Sequence, residues 1–158
     1  MQSHMKLLVA FIFVFLSVEA IACGDSLYRV GKGIAYRVYT APLPGSVLVY
    51  GHSEGAKLLA EALAKSGHGV RYVENESELT SELSSGDYDV VIAAYSERNA
   101  VEGNAGASAD TKTTYLPVAL SIDEAEVANK SYSNVMLAER DEIKHYLKAI
   151  HKTLKAKT

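Results

Sequence analysis

Between residues 46 and 157, short apolar runs alternate with segments in which apolar residues recur every three or four positions. Continuous apolar runs are typical of strands that are covered on both faces of a sheet, whereas the wider spacing predicts amphipathic helices. The predicted strands are residues 47–50, 70–73, 88–95, 114–120 and 135–137. The predicted helices are residues 54–66, 77–83, 123–129 and a final helix that Asp141 caps.

This alternation of strands and helices predicts the fold class. Strands that are joined through helices predict a parallel sheet with right-handed crossovers and with helices on both faces. Gly67 is expected to end the first helix, and the small polar residues 102–112 are expected to form a mobile loop in place of a helix. We therefore expect residues 46–158 to form a three-layer α/β domain.

Residues 23–45 have a different pattern. Two β-rich runs, residues 27–30 and 34–39, flank Gly31-Lys32-Gly33, and this spacing predicts a tight β-hairpin. The prolines and the glycine of residues 41–45 then predict a linker. The hairpin contains three of the ten tyrosines and is expected to extend the sheet or to cover one of its edges, with a partner surface as the alternative.

The first 22 residues have the pattern of a secretory signal peptide. Lys6 precedes ten consecutive apolar residues, 7–16, which are too few to span a bilayer as a stable helix. Ala20 and Ala22 supply the small residues of a cleavage site before Cys23. We therefore expect a bacterial protein that is exported to the periplasm or to a membrane of the cell envelope, with a buried N-terminal helix as the alternative.

Cys23 is the only cysteine, so the chain cannot form an internal disulfide. The residues Ala20-Ile21-Ala22-Cys23 resemble the lipobox of bacterial lipoproteins, although that family prefers Leu where this chain has Ala20. The resemblance implies that Cys23 is lipidated and anchors the protein to a membrane surface. The alternative is a soluble periplasmic protein with a free N-terminal thiol.

Composition and charge exclude several classes of protein. The 158 residues are 48% hydrophobic and 22% charged, which excludes disordered, collagen-like and disulfide-stabilised proteins and predicts one domain. The formal net charge of −3 gives no reason to expect a nucleic acid as partner. Lysines of the final helix favour either attraction to anionic lipid headgroups or a solvated face that complements the helix dipole. These lysines are Lys144, Lys148, Lys152, Lys155 and Lys157.

The order of elements over residues 46–157 resembles the receiver domain of bacterial response regulators. The segments that carry this resemblance are Ser46–Tyr50 with Leu58, Leu59 and Leu63, the turn Ser66-Gly67-His68-Gly69-Val70, the run Tyr88–Ile92, and Leu116-Pro117-Val118. The resemblance implies a flavodoxin-like sheet with the strand order 2-1-3-4-5.

The residues that perform the chemistry of receivers are mostly replaced. Gly51-His52 occupies the place of the acidic pair that holds Mg²⁺, and Ala94 occupies the place of the aspartate that accepts phosphate. Ala138-Glu139 stands where the family has Lys-Pro, and only Ser121 matches the hydroxyl residue after the fourth strand. Because alanine cannot accept a phosphoryl group, we expect a module that is not phosphorylated.

A second motif lies between the first strand and the first helix of this domain. Residues 51–55 fit Gly-x-Ser-x-Gly and resemble the nucleophile elbow of α/β hydrolases. That resemblance implies Ser53 as nucleophile. It leaves two choices for each of the other catalytic groups, Asp123 or Asp141 as the acid and His145 or His151 as the base. The alternative is a glycine-rich turn in which Ser53 caps the helix.

Polar residues follow the predicted strands at their carboxyl ends, where open α/β sheets bind ligands. Together they could bind a small ligand or a peptide. A metal site formed by His52 with Glu54 or Glu97 is a further interpretation, and a solvated rim is the alternative. The candidate binding residues are His52, Ser53, Glu54, Tyr95, Ser96, Glu97, Arg98 and Ser121, together with Asn75.

These observations favour an exported, non-catalytic, receiver-like module that binds a protein partner in the cell envelope. Two alternatives stay open, a small serine hydrolase that uses Ser53 and a periplasmic protein that binds a small ligand. No cofactor and no bound metal are expected under the favoured interpretation.

Overall fold

The computed structural model describes residues 40–85, 87–105 and 113–157. Five strands and five α-helices, with one short 3₁₀ helix, make up these ranges. The strands are β1 (Ser46–Tyr50), β2 (Gly69–Val73), β3 (Val90–Ala94), β4 (Thr114–Ala119) and β5 (Met136–Leu137). The helices are α1 (Glu54–Lys65), α2 (Glu76–Ser85), α3 (Arg98–Ala105), α4 (Ile122–Ala128) and α5 (Ile143–Lys157), and the 3₁₀ helix is Tyr95–Glu97.

All four pairs of neighbouring strands are parallel, and the strand order is β2-β1-β3-β4-β5. The alternation of strands and helices predicts a parallel α/β sheet, and the resemblance to receiver domains implies this flavodoxin-like order, so the predicted fold class is confirmed. β1 and β3 lie in the centre of the sheet and are the most apolar runs. Every residue of β3 is buried. The carboxyl ends of β1 and β3 therefore meet at the middle of one sheet edge.

Alternate residues of each strand point to opposite faces, and this divides the core in two. On one face, Val47 and Val49 of β1 pack with α1 and with Tyr146, Leu147, Ile150 and Leu154 of α5. On the other face, Leu48 of β1 packs with Leu79 and Leu83 of α2 and with Val101 of α3. The sheet is thus covered on both faces, as the continuous apolar runs predict.

The signals at the ends of α1 are those that the sequence indicates. The Ser53 hydroxyl accepts a hydrogen bond from the Ala56 N–H at 3.1 Å, which satisfies one of the free donors at the start of the helix. Gly67 follows the end of α1 with φ of +101°, a left-handed conformation that glycine adopts at low cost.

The expected loop over residues 102–112 is wrong for residues 102–105, because α3 continues through Ala105. Helical propensity there is poor, but Val101 is completely buried against the sheet. The Asn104 side-chain amide also donates to the Ala100 carbonyl at 2.7 Å. Tertiary packing therefore overrides local composition at this helix. Residues 106–112 lie outside the described residues.

β5 is only two residues long, and Pro117 of β4 explains why. Hydrogen bonds from β4 to β5 come from alternate residues, and Pro117 has no N–H to donate. The ladder therefore begins one residue later, where Val118 pairs with Met136. A short strand thus forms this border of the sheet.

Asp141 does not cap the final helix, and this corrects the sequence prediction. The helix begins two residues later, at Ile143, and the buried Asp141 carboxylate accepts a hydrogen bond from the Leu137 N–H at 2.7 Å. The Leu137 carbonyl accepts from the Asp141 N–H at 2.8 Å. Asp141 therefore occupies both outward-facing backbone groups of Leu137, which prevents further strand pairing there.

Several predictions fall outside the described residues. They are the signal peptide over residues 1–22, lipidation of Cys23, and the hairpin within residues 23–45, of which only residues 40–45 are described. Among the helices that are described, none has the length and the apolar character needed to cross a membrane.

Candidate functional site

The carboxyl ends of β1 and β3 place two groups of candidate residues at one edge of the sheet. His52 and Ser53 follow β1, and residues 95–98 follow β3. The His52 imidazole is exposed, and its ring lies edge-to-face against the Tyr50 ring with centroids 5.7 Å apart. Burial raises the pKa of the Tyr50 hydroxyl, and the charges of Glu97 and Glu76 add to the effect. A phenol and an imidazole therefore stand side by side at the entrance to α1.

Ser53 lies in this edge as the N-cap of α1. Its backbone is extended, with φ of −94° and ψ of 150°, and its Oγ accepts from the Ala56 N–H. Glu54 is the first residue of the helix and is exposed. Within the described ranges, the Ser53 hydroxyl has no hydrogen bond to an imidazole. Its hydrogen bond is that of a capping residue.

The two histidines that the hydrolase hypothesis requires belong to α5. His145 Nδ1 accepts from the Glu142 N–H at 3.0 Å and lies 3.4 Å from Asp141 Oδ1. One ring nitrogen cannot accept the first contact and donate to the second at the same time, so Nδ1 makes only one of these two contacts as a hydrogen bond. His151 is half-buried, and its Nδ1 has no hydrogen-bond partner among the described residues. Neither histidine is bonded to Ser53.

The residues after β3 form a compact structural unit. The Arg98 guanidinium lies 4.7 Å from the centroid of the Tyr95 ring, which is a cation–π distance. The Tyr132 ring packs edge-to-face against both Tyr95 and Tyr115, with centroids 6.0 and 5.4 Å away. Burial and a hydrogen bond to the Glu102 carboxylate raise the pKa of the Tyr132 hydroxyl to about 12. Tyr95 and Arg98 therefore have intramolecular partners.

The other polar candidates either accept hydrogen bonds at the starts of helices or are at least partly exposed to solvent. Ser96 is exposed and Glu97 is half-buried. Asn75 accepts from the Glu78 N–H at the start of α2, and Ser121 accepts from the Glu124 N–H as the N-cap of α4. Among the described residues, no three histidine, cysteine, aspartate or glutamate side chains are grouped so that they could hold a metal.

Sequence reasoning did not identify the surface that α4 forms with its neighbour β5. Of the seven residues of α4, Ala128 alone is buried. Ile122 and Val127 are 62% and 50% exposed, and Leu120 just before the helix is 38% exposed. The clue in the sequence is a short segment in which Ile122 and Val127 are five positions apart, a spacing that places them on different sides of a helix.

A groove runs between α4 and β5. It encloses about 610 Å³. Ile122 and Ala125 form its helical wall, and Val135 and Leu137 line the strand side. Polar and charged groups complete the lining, namely Glu126, Asn129, Glu139 and Arg140. The groove therefore combines four apolar residues with four polar or charged residues.

Comparison with known proteins assigns no family. No protein-family model matches the chain, and neither a curated protein nor a solved structure is significantly similar to it. The functional argument therefore depends on the groove and on the edge of the sheet.

Proposed function

We propose that this protein is an exported, non-catalytic, receiver-like module that binds a protein partner through the groove between α4 and β5. The observation that carries this proposal is the exposure of Ile122, which lines the groove, on a helix that contributes one buried residue to the fold. Apolar side chains gathered at a groove are typical of surfaces that bind other proteins.

The lining of the groove indicates the chemistry of the partner. Ile122 and Leu137 offer apolar contacts to two or three apolar side chains of an amphipathic segment. Asp123, Glu126 and Glu139 are exposed around it, and Arg140 is the one positive group in its lining. We therefore expect the partner segment to carry lysine or arginine beside its apolar side chains.

An extended strand is a less suitable partner than a helix at this border. A strand that pairs with β5 needs the outward-facing N–H and carbonyl of Leu137. Both groups are already bonded to Asp141. The groove beside β5 has no such obstacle, so the proposed partner places a helix or a turn there.

At the carboxyl ends of β1 and β3, the residues that perform the chemistry of receivers are replaced. Gly51-His52 and Ala94 occupy the positions at which receivers have carboxylates for Mg²⁺ and for the phosphoryl group. Ala94 is buried at the end of β3 and has no nucleophilic atom. Under this proposal the module transmits no phosphoryl group, and binding through α4 and β5 is its activity.

Site-specific photo-crosslinking in the bacterial envelope tests the proposal. A photoreactive residue at position 122 is expected to form a discrete adduct with one other protein, which mass spectrometry identifies. The matched position is 61, because Glu61 is exposed on α1 at the opposite face of the sheet. Adducts of equal yield from both positions, or an adduct with a second copy of this chain alone, would contradict a specific partner at this groove.

A further inference from the structure

The outer face of α5 carries a stripe of positive charge. The helix has five lysines and no acidic residue, within a chain whose formal net charge is −3. At 100° per residue, Lys144, Lys148, Lys152 and Lys155 fall within an arc of about 80° and extend over about 16 Å. The buried side chains Leu147, Ile150 and Leu154 lie on the opposite side of the helix. We call these four lysines the lysine stripe.

Most of this charge is not neutralised inside the protein. Lys144 forms an ion pair with Glu142 at 2.9 Å. Lys148, Lys152 and Lys155 are exposed and form no ion pair with any described residue, and Lys152 donates to the neutral Asn134 amide at 3.2 Å. Three unpaired ammonium groups therefore point away from the core along one helix.

Helix stability does not explain the stripe. Lysines stabilise the last turn of a helix, where the dipole is negative, and this accounts for Lys155. Lys144 lies in the first turn, where a positive charge is unfavourable, and Lys148 and Lys152 lie between the end turns, where the dipole gives no stabilisation. The placement of charge therefore fits an external anionic surface better than it fits the needs of the helix.

The chain enters the fold beside the C-terminal end of this helix. Ala41 belongs to the same buried cluster as Leu154. A side chain added at Gly45 would meet Leu154 at 2.7 Å. Cys23, the predicted lipidation site, lies 17 positions before Thr40, which limits the distance between them to about 60 Å. A lipid anchor at Cys23 would thus keep the domain within reach of a membrane surface.

We propose that the lysine stripe of α5 binds the anionic headgroups of a phospholipid membrane and orients the domain on its surface. This inference rests on the proposed export of the protein but not on the partner at the groove. α5 packs on one face of the sheet, and Tyr132, which follows α4, packs against Tyr115 on the other face, so membrane contact leaves the groove open. The lysine stripe would therefore position the domain on the membrane, and the groove would bind the protein partner.

Co-sedimentation with phospholipid vesicles tests the stripe. The full exported chain carries Cys23→Ser, so that no lipid modification contributes to binding. We expect binding to vesicles of phosphatidylcholine and phosphatidylglycerol that weakens as salt is raised, and no binding to phosphatidylcholine alone. Neutralising Lys148, Lys152 and Lys155 to glutamine together is expected to weaken this binding roughly 100-fold.

The matched control removes the same charge elsewhere. Lys57→Gln, Arg71→Gln and Lys130→Gln lower the net charge equally at exposed positions outside α5. This control is expected to bind the anionic vesicles within a few-fold of the parent protein. Equal loss in both triple variants would overturn the proposal, as would binding that is the same on neutral vesicles.

Two further results separate the membrane from other anions and from the groove. Soluble polyphosphate that binds as tightly as the anionic vesicles would overturn the assignment to a membrane surface. Ile122→Asp is expected to leave vesicle binding unchanged, so a failure of the stripe and a failure of the groove are distinguishable. Unchanged thermal unfolding of each variant shows that the fold is intact.

Discussion

The two helices next to β5 in the chain use their apolar residues in opposite ways. α5 buries Tyr146, Leu147, Ile150 and Leu154 against the sheet, whereas α4 buries Ala128 and leaves Ile122 and Val127 in solvent. The apolar residues of α5 recur at helical spacing, whereas Ile122 and Val127 are five positions apart and lie on different sides of α4. The difference shows that an apolar residue in a helix need not belong to the core, and that the packing of the rest of the chain decides whether it is buried.

The sharpest way to test this difference is one substitution made in both helices. Ile150→Ala removes a completely buried side chain and is expected to lower the free energy of unfolding by about 2–5 kcal/mol. Ile122→Ala removes a mostly exposed side chain and is expected to change it by less than about 0.5 kcal/mol. Urea unfolding followed by circular dichroism measures both. A similar loss at the two positions would show that α4 is part of the core.

The junction between the two helices offers the next test. Asp141→Ala leaves the buried Leu137 N–H without a partner and is expected to lower the free energy of unfolding by about 1–3 kcal/mol. Asp123→Ala is the control, because Asp123 is exposed on α4. Thermal unfolding of the two variants measures the difference. Equal midpoints would contradict the role of Asp141 in fixing the end of β5.

Substitutions of Ser53 test whether the Gly-x-Ser-x-Gly motif is a helix cap or a catalytic site. Ser53→Ala removes the cap of α1 and is expected to cost about 1 kcal/mol, while Ser53→Asp restores an acceptor and recovers most of that loss. Denaturant unfolding gives both values. A fluorophosphonate probe that labels the parent protein but not Ser53→Ala would instead support the hydrolase.

The smallest expected effect is a pH dependence that arises from His68. This side chain is 6% exposed, its Nδ1 accepts from the Gly45 N–H at 3.1 Å, and its Nε2 has no partner among the described residues. Burial lowers the pKa of His68 below 6.5. As the pH falls below 6.5, the unfolded chain binds a proton that the folded protein excludes, so the free energy of unfolding decreases.

The substitution His68→Asn removes this titration and keeps a hydrogen-bond acceptor near the position of Nδ1. We therefore expect His68→Asn to be less stable than the parent protein at neutral pH and to lose less stability between pH 6.5 and the lower pKa of the folded state. Unfolding measured across that interval gives the slope. An equal slope in the two proteins would assign the pH dependence to other groups.

The sequence is enough to predict the strands of the sheet, but not the extent of α3 or the contacts of Asp141 at the end of β5. Runs such as residues 90–94 are short and rich in β-branched residues, which favours buried strands, and the order of elements then leaves few topologies. The extent of α3 depends on Val101 meeting the sheet, and the position of Asp141 depends on the end of β5. Both are long-range contacts that local composition does not contain.

For the candidate site, the sequence predicted where the residues lie but not all of the contacts that they make. Sequence placed His52, Ser53 and Tyr95 at one edge of the sheet, and the structure locates them there. Capping of α1 by Ser53 was one of the two interpretations that the sequence left open, and the contact between Tyr95 and Arg98 was not predicted, because such contacts are hydrogen-bonding and packing choices. The exposure of Ile122 was equally hidden, since an apolar residue in a short helix is more often buried.

Binding of the partner identified by crosslinking at position 122 tests the groove most directly. Fluorescence anisotropy with the purified full chain compares Ile122→Asp with Glu61→Ala, a surface variant on the opposite face. A charge placed at the apolar wall is expected to weaken the partner at least about 30-fold, which corresponds to roughly 2 kcal/mol at an interface hot spot, while Glu61→Ala binds like the parent protein. Unchanged affinity in Ile122→Asp would contradict the assignment of α4 and β5 as the docking surface.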